Sequence, residues 1–408
     1  MIRVLSVLLL AVFAAGVMGC ADTAVSPRTP EGALVFDNDT GSAVTGLGIL
    51  FDRALSIEVG DVVPIGGDLA TSVTIAGRSV WIDIEMKSQG SAAITLGEDG
   101  LGAQVVSAYW VSSEQEKNKV VARWIIEAVW NEGDLGSIGA FVSPTFLFHN
   151  VSMIGDIPGV EGYSMFVAGS RGGFPDATFT IEDVVAERDL VALRVTRTGT
   201  HTGDLMGIPP TGAAVTEKSI VIYRFSDGKA AEGWMQYDAL GLLVQLGLIP
   251  PMGPPSFTWG APSEITGDPG IPDTNKIIAA RDPLEIWNEA NLALVDDVIG
   301  EGFVGHYETT TVAGREAYRQ YVPGTLAAFP DFRITVEELI AEGDLVVFRS
   351  TASGTHLGPL GPIPATGLPW TVSGMVIRRI ADGQVVETWQ MNDMLSLLTQ
   401  IGVIPPLQ

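Results

Sequence analysis

Residues 174–251 align without a gap to residues 329–406 at an offset of 155, and about half of the positions are identical. The eighteen residues WMQYDALGLLVQLGLIPP, from Trp234, return as WQMNDMLSLLTQIGVIPP, from Trp389. Further upstream the offset is 157, so that Trp130-Asn131 matches Trp287-Asn288 and His149 matches His306. A chain that repeats itself over such a length holds a tandem duplication of one domain, of about 135 residues per copy. All four histidines fall into corresponding pairs, His149 with His306 and His201 with His356.

Each copy mixes helix and strand signals. In the first, EQEKNKVVARWIIEAVW carries apolar residues at helical spacing and stops at Asn131-Glu132-Gly133. Alternation then predicts strands over 178–185, 190–200, 215–225 and 229–237, with Ser226-Asp227-Gly228 as a hairpin turn. Asp238 and Asp393 each precede an apolar-periodic run that ends at Gly247 or Gly402. These signals give two α+β domains, 113–251 and 274–408, joined by a Pro/Gly-rich linker at 252–273.

The residues ahead of the repeat read differently. Over 31–110 there is no helical period; SVTIAGRSVWIDIEM alternates, and DNDTGS, IGGD and GEDG punctuate it. That pattern predicts a small all-β domain, a sandwich, after a tether at 21–30. Residues 1–20 place Arg3 before an apolar run and end on Val-Met-Gly-Cys, a secretory signal that resembles a bacterial lipobox. Acylation of Cys20, the only cysteine, would anchor the chain in the bacterial cell envelope and leave it without intrachain disulfides. The net charge of −25 disfavours nucleic acid as a partner, since phosphate needs Lys and Arg to neutralise it. Neither metal-ligand spacing nor a phosphate-binding glycine loop occurs, so no metal and no cofactor are expected.

The order helix, VWNEGDL, FxxH, FPD, GTHxG, IPPTG, DGK and W-x3-D-x-L-x-LL-x-Q resembles the SnoaL-like polyketide cyclases, a branch of the NTF2-like superfamily. The resemblance implies two cone-shaped domains, each a curved antiparallel sheet around helices with an apolar pocket. It also implies pairing of the two copies through their sheets as an intramolecular pseudo-dimer, and a cofactor-independent cyclase, ester cyclase or isomerase chemistry on an apolar small molecule. The family's acid–base aspartate falls on Met235 and Gln390, and its assisting histidine on Val221 and Val376. None of these is a competent base.

Other residues could serve. Asp238 and Asp393 are open to two readings, a proton-transfer group or a helix N-cap, and capping would favour the charged carboxylate. His201 and His356, in GTHxG, could face the pocket rim or bond a loop carbonyl. His149 and His306 could border the pocket or be satisfied, half-buried histidines. Trp234 and Trp389 lie across the strand from Met235 and Tyr237, as core or pocket residues. Tyr237 and its counterpart Asn392 could each hydrogen-bond a ligand carbonyl. Two functions stand open: an acid–base enzyme, or a non-catalytic ligand-binding or interaction lipoprotein with degenerate pockets.

Overall fold

A computed structural model of the chain describes residues 33–37, 43–52, 62–65, 72–76, 78–86, 91–95, 105–152, 154–251, 259 and 267–405. Cys20, the tether and most of the linker lie outside the described residues. The described residues divide into two compact units, one up to Val120 and one from Val121.

The first unit has seven strands: β1 (Ala33–Asp37), β2 (Val44–Phe51), β3 (Val62–Ile65), β4 (Ser72–Ala76), β5 (Ser79–Met86), β6 (Ser91–Thr95) and β7 (Val105–Val111). They form two antiparallel sheets, β1-β6-β3 and β4-β5-β2-β7. Phe36 and Ile94 of the first sheet share one buried core with Leu47, Ile82 and Trp110 of the second. In β5 the alternation is plain, Val80, Ile82 and Ile84 being buried while Asp83 is exposed. Two sheets over one core make a sandwich, the layering the turn-rich sequence predicts.

Helix α1 (Glu114–Trp124) begins at Ser113, whose hydroxyl accepts the Glu116 N–H at 3.2 Å. From Ile125 to Asn131 it loosens into π-helical turns. The first repeat continues with α2 (Ile138–Phe141), β8 (Val142–Val151), β9 (Gly155–Pro158) and α3 (Gly159–Gly173). Then come β10 (Thr178–Glu187), β11 (Leu190–Thr200), β12 (Ala214–Ser226), β13 (Lys229–Tyr237) and α4 (Ala239–Gln245). The second repeat follows the same plan. It has α5 (Pro272–Arg281), π-helical turns over Asp282–Trp287, α6 (Val295–Val298), β14 (Ile299–His306), β15 (Thr311–Ala313) and α7 (Arg315–Ala328). It ends with β16 (Arg333–Glu342), β17 (Leu345–Thr355), β18 (Pro369–Ala381), β19 (Gln384–Asn392) and α8 (Met394–Gln400).

Each repeat builds one six-stranded sheet, β9-β8-β13-β12-β11-β10 and β15-β14-β19-β18-β17-β16. Only β8 with β13 and β14 with β19 pair in parallel; the remaining pairings of these sheets are antiparallel. The β12–β13 turn is formed by Asp227 and Gly228 at φ 52° and 71°, and the β18–β19 turn by Asp382 and Gly383 at 50° and 73°. Positive φ at both central positions is the tight-hairpin geometry that Asp-Gly supplies with little strain.

Strand alternation sends the two faces of each sheet to different tasks. Ile220, Ile222 and Trp234 pack in one cluster with Ile377, Met375 and Trp389 of the other repeat. Their contacts come in pairs related by the 155-residue offset. The Arg349 guanidinium lies 4.8 Å from the centre of the Trp234 ring, and that of Arg194 lies 4.4 Å from the Trp389 ring. The Ala186 N–H donates to Glu342 at 2.8 Å, and the Ala341 N–H to Glu187 at 2.9 Å. Trp259, in the linker, is buried in the same cluster. The opposite face of each sheet turns inward to its own helices.

Candidate functional site

The inward face of the first repeat encloses a cavity of about 460 Å³. Strand β12 lines it with every second residue: Glu217, Ser219, Val221 and Tyr223. Strand β13 adds Met235 and Tyr237, and β11 adds Val195 and Arg197. Ile126 and Trp130 enter from the π-helical turns, where the widened winding re-aims side chains. Aromatic rings make much of the wall; Trp130 lies 5.5 Å from Phe166 and 5.1 Å from Phe179, centre to centre.

In this apolar setting stands one ion pair. Arg197 donates to Glu217 Oε2 at 2.7 Å and to the Ser170 hydroxyl at 3.1 Å, and its guanidinium stacks 4.4 Å from the Phe174 ring. Both side chains are more than nine-tenths buried. The Arg197 Nε–H is buried and has no hydrogen-bond partner among the described residues. Burial pushes the Glu217 carboxyl up to about 7, against the opposing pull of Arg197. A carboxyl balanced near neutrality can both take and return a proton at neutral pH. Nearby, Tyr237 donates to the Ser152 carbonyl at 3.1 Å, and burial raises its pKa.

Sequence reasoning placed the acid–base search elsewhere and missed Glu217 and Arg197. Their signal lay in the comparison of the two copies: Arg197 corresponds to Ala352 and Glu217 to Val372, charged residues facing apolar ones. Of the sequence-derived candidates, Val221, Met235 and Tyr237 line the cavity. Their counterparts Val376, Gln390 and Asn392 pair across β18 and β19, with Gln390 donating to the Asn392 side chain at 3.3 Å.

The tryptophans and the upstream histidines are not in the cavity wall. Trp234 belongs to the cluster between the sheets, with His149 stacked on it at 5.1 Å and 14°. His149 also faces Glu232 at 3.4 Å. The second copy repeats this: His306 stacks on Trp389 at 5.8 Å and bonds Glu387 at 2.8 Å. Even-numbered positions of β13 face the other sheet, which removes Trp234 from the pocket and takes its histidine with it.

His201, in the first repeat, and His356, in the second, are fully buried, and neither is among the residues lining the cavity. The Nδ1 of each lies 3.1 Å from a threonine hydroxyl, Thr211 or Thr366, and each backbone bonds the proline-rich loop. They fasten that loop. Burial lowers the pKa of His201.

Asp238 and Asp393 cap α4 and α8, accepting from the Gly241 N–H at 2.8 Å and the Ser396 N–H at 3.0 Å. Capping alone would lower a carboxyl pKa. At Asp238 burial outweighs the Gly241 bond and the charge of Lys218, and the pKa rises. The expectation of a depressed value is corrected by the desolvation of a cap that lies inside the molecule. Among the described residues no group of three or more His, Cys, Asp or Glu is placed to hold a metal.

Comparison with known proteins gives this arrangement relatives. Residues 116–246 and 278–401 match the model of the SnoaL-like polyketide cyclases. Over 128 residues the chain is 27% identical to the aklanonic acid methyl ester cyclase AcmA of Streptomyces galilaeus, a match covering 31% of this chain and 87% of that protein. A solved SnoaL-like protein from Jannaschia sp. CCS1 is 24% identical, covering 35% of this chain and 100% of its own, with a TM-score of 0.32. IdmH from Streptomyces antibioticus is 29% identical over 32% of this chain and 99% of its own, with a TM-score of 0.29.

Proposed function

We propose, for a chain that belongs to the SnoaL-like polyketide cyclase family, that its first repeat binds an apolar carbonyl compound and moves a proton on it with Glu217. The observation that carries this is the Glu217–Arg197 pair, buried in the wall of an otherwise apolar cavity. Glu217 takes a proton from a carbon next to the carbonyl, and the electron pair moves onto the carbonyl oxygen as an enolate. The positive charge of Arg197, a residue of the same wall, stabilises that developing negative charge. The enolate carbon then attacks a second carbonyl of the same molecule, closing a ring. The new alkoxide recovers the proton from Glu217, so atoms and charge balance with no co-reactant.

The second repeat takes the non-catalytic role, since Val372 and Ala352 stand where Glu217 and Arg197 would be. Pairing of the two repeats as an internal dimer is supported by their offset-related contacts. Export and anchoring through Cys20 are part of the proposal, supported by the signal-like residues 1–20. Unmodified Cys20 in membrane fractions would reject the anchor.

Native mass spectrometry of protein from its own host identifies the co-purified compound. With that compound in deuterated water, the wild type should exchange the hydrogen beside the carbonyl, and Glu217→Gln should not. Equal exchange by both proteins would reject Glu217 as the base.

A further inference from the structure

We infer that the second repeat positions the reactive wall of the first: Asp393, acting through Ser152, sets where the Tyr237 hydroxyl stands. Tyr237 donates to the Ser152 carbonyl at 3.1 Å, and the Ser152 hydroxyl donates to Asp393 Oδ1 at 3.0 Å. Ser152 is buried and Asp393 half-buried. The preceding residue is tied to the same repeat. Gln236 Nε2 donates to the Ser373 carbonyl at 2.9 Å and lies 3.1 Å from its hydroxyl. The Asp393 N–H donates to that same carbonyl at 3.1 Å. The end of β13 that presents Tyr237 is therefore held at two points, by β18 and by the start of α8, both elements of the second repeat.

The cavity wall changes between copies while this grip is in place. Asn392 stands for Tyr237, and the acid–base pair is replaced by Val372 and Ala352. A second copy without that pair still has a task if it fixes the geometry of the first. Asp393 is then a positioning residue, touching no substrate. That role matters to turnover only if the proposed function holds, whereas the tether itself can be read without a substrate.

The test places 3-fluorotyrosine at position 237 of the full chain and follows its fluorine resonance. Ser152→Ala removes the hydroxyl and leaves the carbonyl and the α8 cap. Asp393→Ser keeps a competent cap but ends too short to reach Ser152. Asp393→Asn keeps an oxygen where Oδ1 now accepts from both Ser152 and Ser396. Ser152→Ala and Asp393→Ser should displace and broaden the line to the same degree, without loss of the cooperative thermal transition, and Asp393→Asn should restore it. A line unmoved by Ser152→Ala and Asp393→Ser overturns the inference, as does one moved equally by Asn and Ser at position 393. A displaced line in a protein whose Glu217→Gln variant still exchanges hydrogen upholds the tether and rejects the proposed base.

Discussion

Glu217→Gln should make the protein more stable at pH 8 and leave it nearly unchanged at pH 4.5. The carboxyl rises from 4.5 to about 7 on folding because burial penalises its charge more than Arg197 rewards it. A carboxyl raised in this way favours the folded state below its unfolded pKa. That contribution is lost as pH climbs from about 4.5 through about 7. Two and a half units at about 1.4 kcal/mol each come to between about 3 and 4 kcal/mol, an upper figure for a buried group paired with a cation. Glutamine resembles the protonated acid, and it leaves Arg197 in the setting it already has at low pH. The two proteins should therefore match near pH 4.5 and separate by at most that amount by pH 8, the variant being the more stable. Urea unfolding at half-unit pH steps measures the gap, and the first unit, common to both proteins, cancels from the difference. A gap that stays flat from pH 4.5 to 8 would mean that Glu217 does not titrate in this range. A variant that loses stability as pH rises would mean that Arg197 dominates, making the pair structural and removing the physical basis for a base near neutrality.

Gly203→Ala should be strongly destabilising, because a Cβ there would lie 1.9 Å from the Gly172 carbonyl oxygen, where the loop closes on the end of α3. Gly358 meets the Ala327 carbonyl oxygen at 2.0 Å in the same way, so Gly358→Ala should cost a comparable amount, about 3 kcal/mol or more, in thermal unfolding. Asp238→Asn should keep the α4 cap and gain stability relative to wild type as pH rises, since burial disfavours the charged Asp238 carboxylate. Asp238→Ala should lose the cap at about 1 kcal/mol; equal melting curves for Asn and Ala would remove the cap from consideration.

The duplication, the strands and their turns were legible because their signals are local. Asp227-Gly228 dictates a tight hairpin whatever surrounds it, and the alternation of β12 survives into the fold as two distinct faces. The capping aspartates could be read for the same reason. Glu217 could not, because a lone glutamate in TEKSIVIYRF looks like the polar phase of a half-exposed strand. Only the three-dimensional closure of the sheet around its helices decides that this phase faces a cavity and that Arg197, twenty residues away, meets it there. The histidines misled for the converse reason. A histidine retained in both copies suggests chemistry, yet His149 and His306 repeat the same packing, a ring on a tryptophan and a nitrogen on a glutamate.

The two copies share several aromatic and charged residues where the sheets meet, whereas the charged residues and tyrosines of the cavity wall differ; apolar wall residues such as Val221, Leu242 and Leu243 recur as Val376, Leu397 and Leu398. Trp234 with Trp389, Arg194 with Arg349, Arg224 with Arg379 and Glu187 with Glu342 are identities, and each belongs to contacts on the side where the sheets meet. Arg197 with Ala352, Glu217 with Val372, Tyr223 with Arg378 and Tyr237 with Asn392 are differences, and each first-repeat member lines the cavity. A self-complementary interface demands the same residues on both partners, so divergence there would break two contacts at once. A cavity carries no such demand from the other copy. In the second copy Arg378 stands where Tyr223 lines the first cavity, and it pairs with the buried Asp282. Under the proposed function, divergence of the duplicated cavities leaves the acid–base pair in the first copy alone, with Val372 and Ala352 in its place in the second.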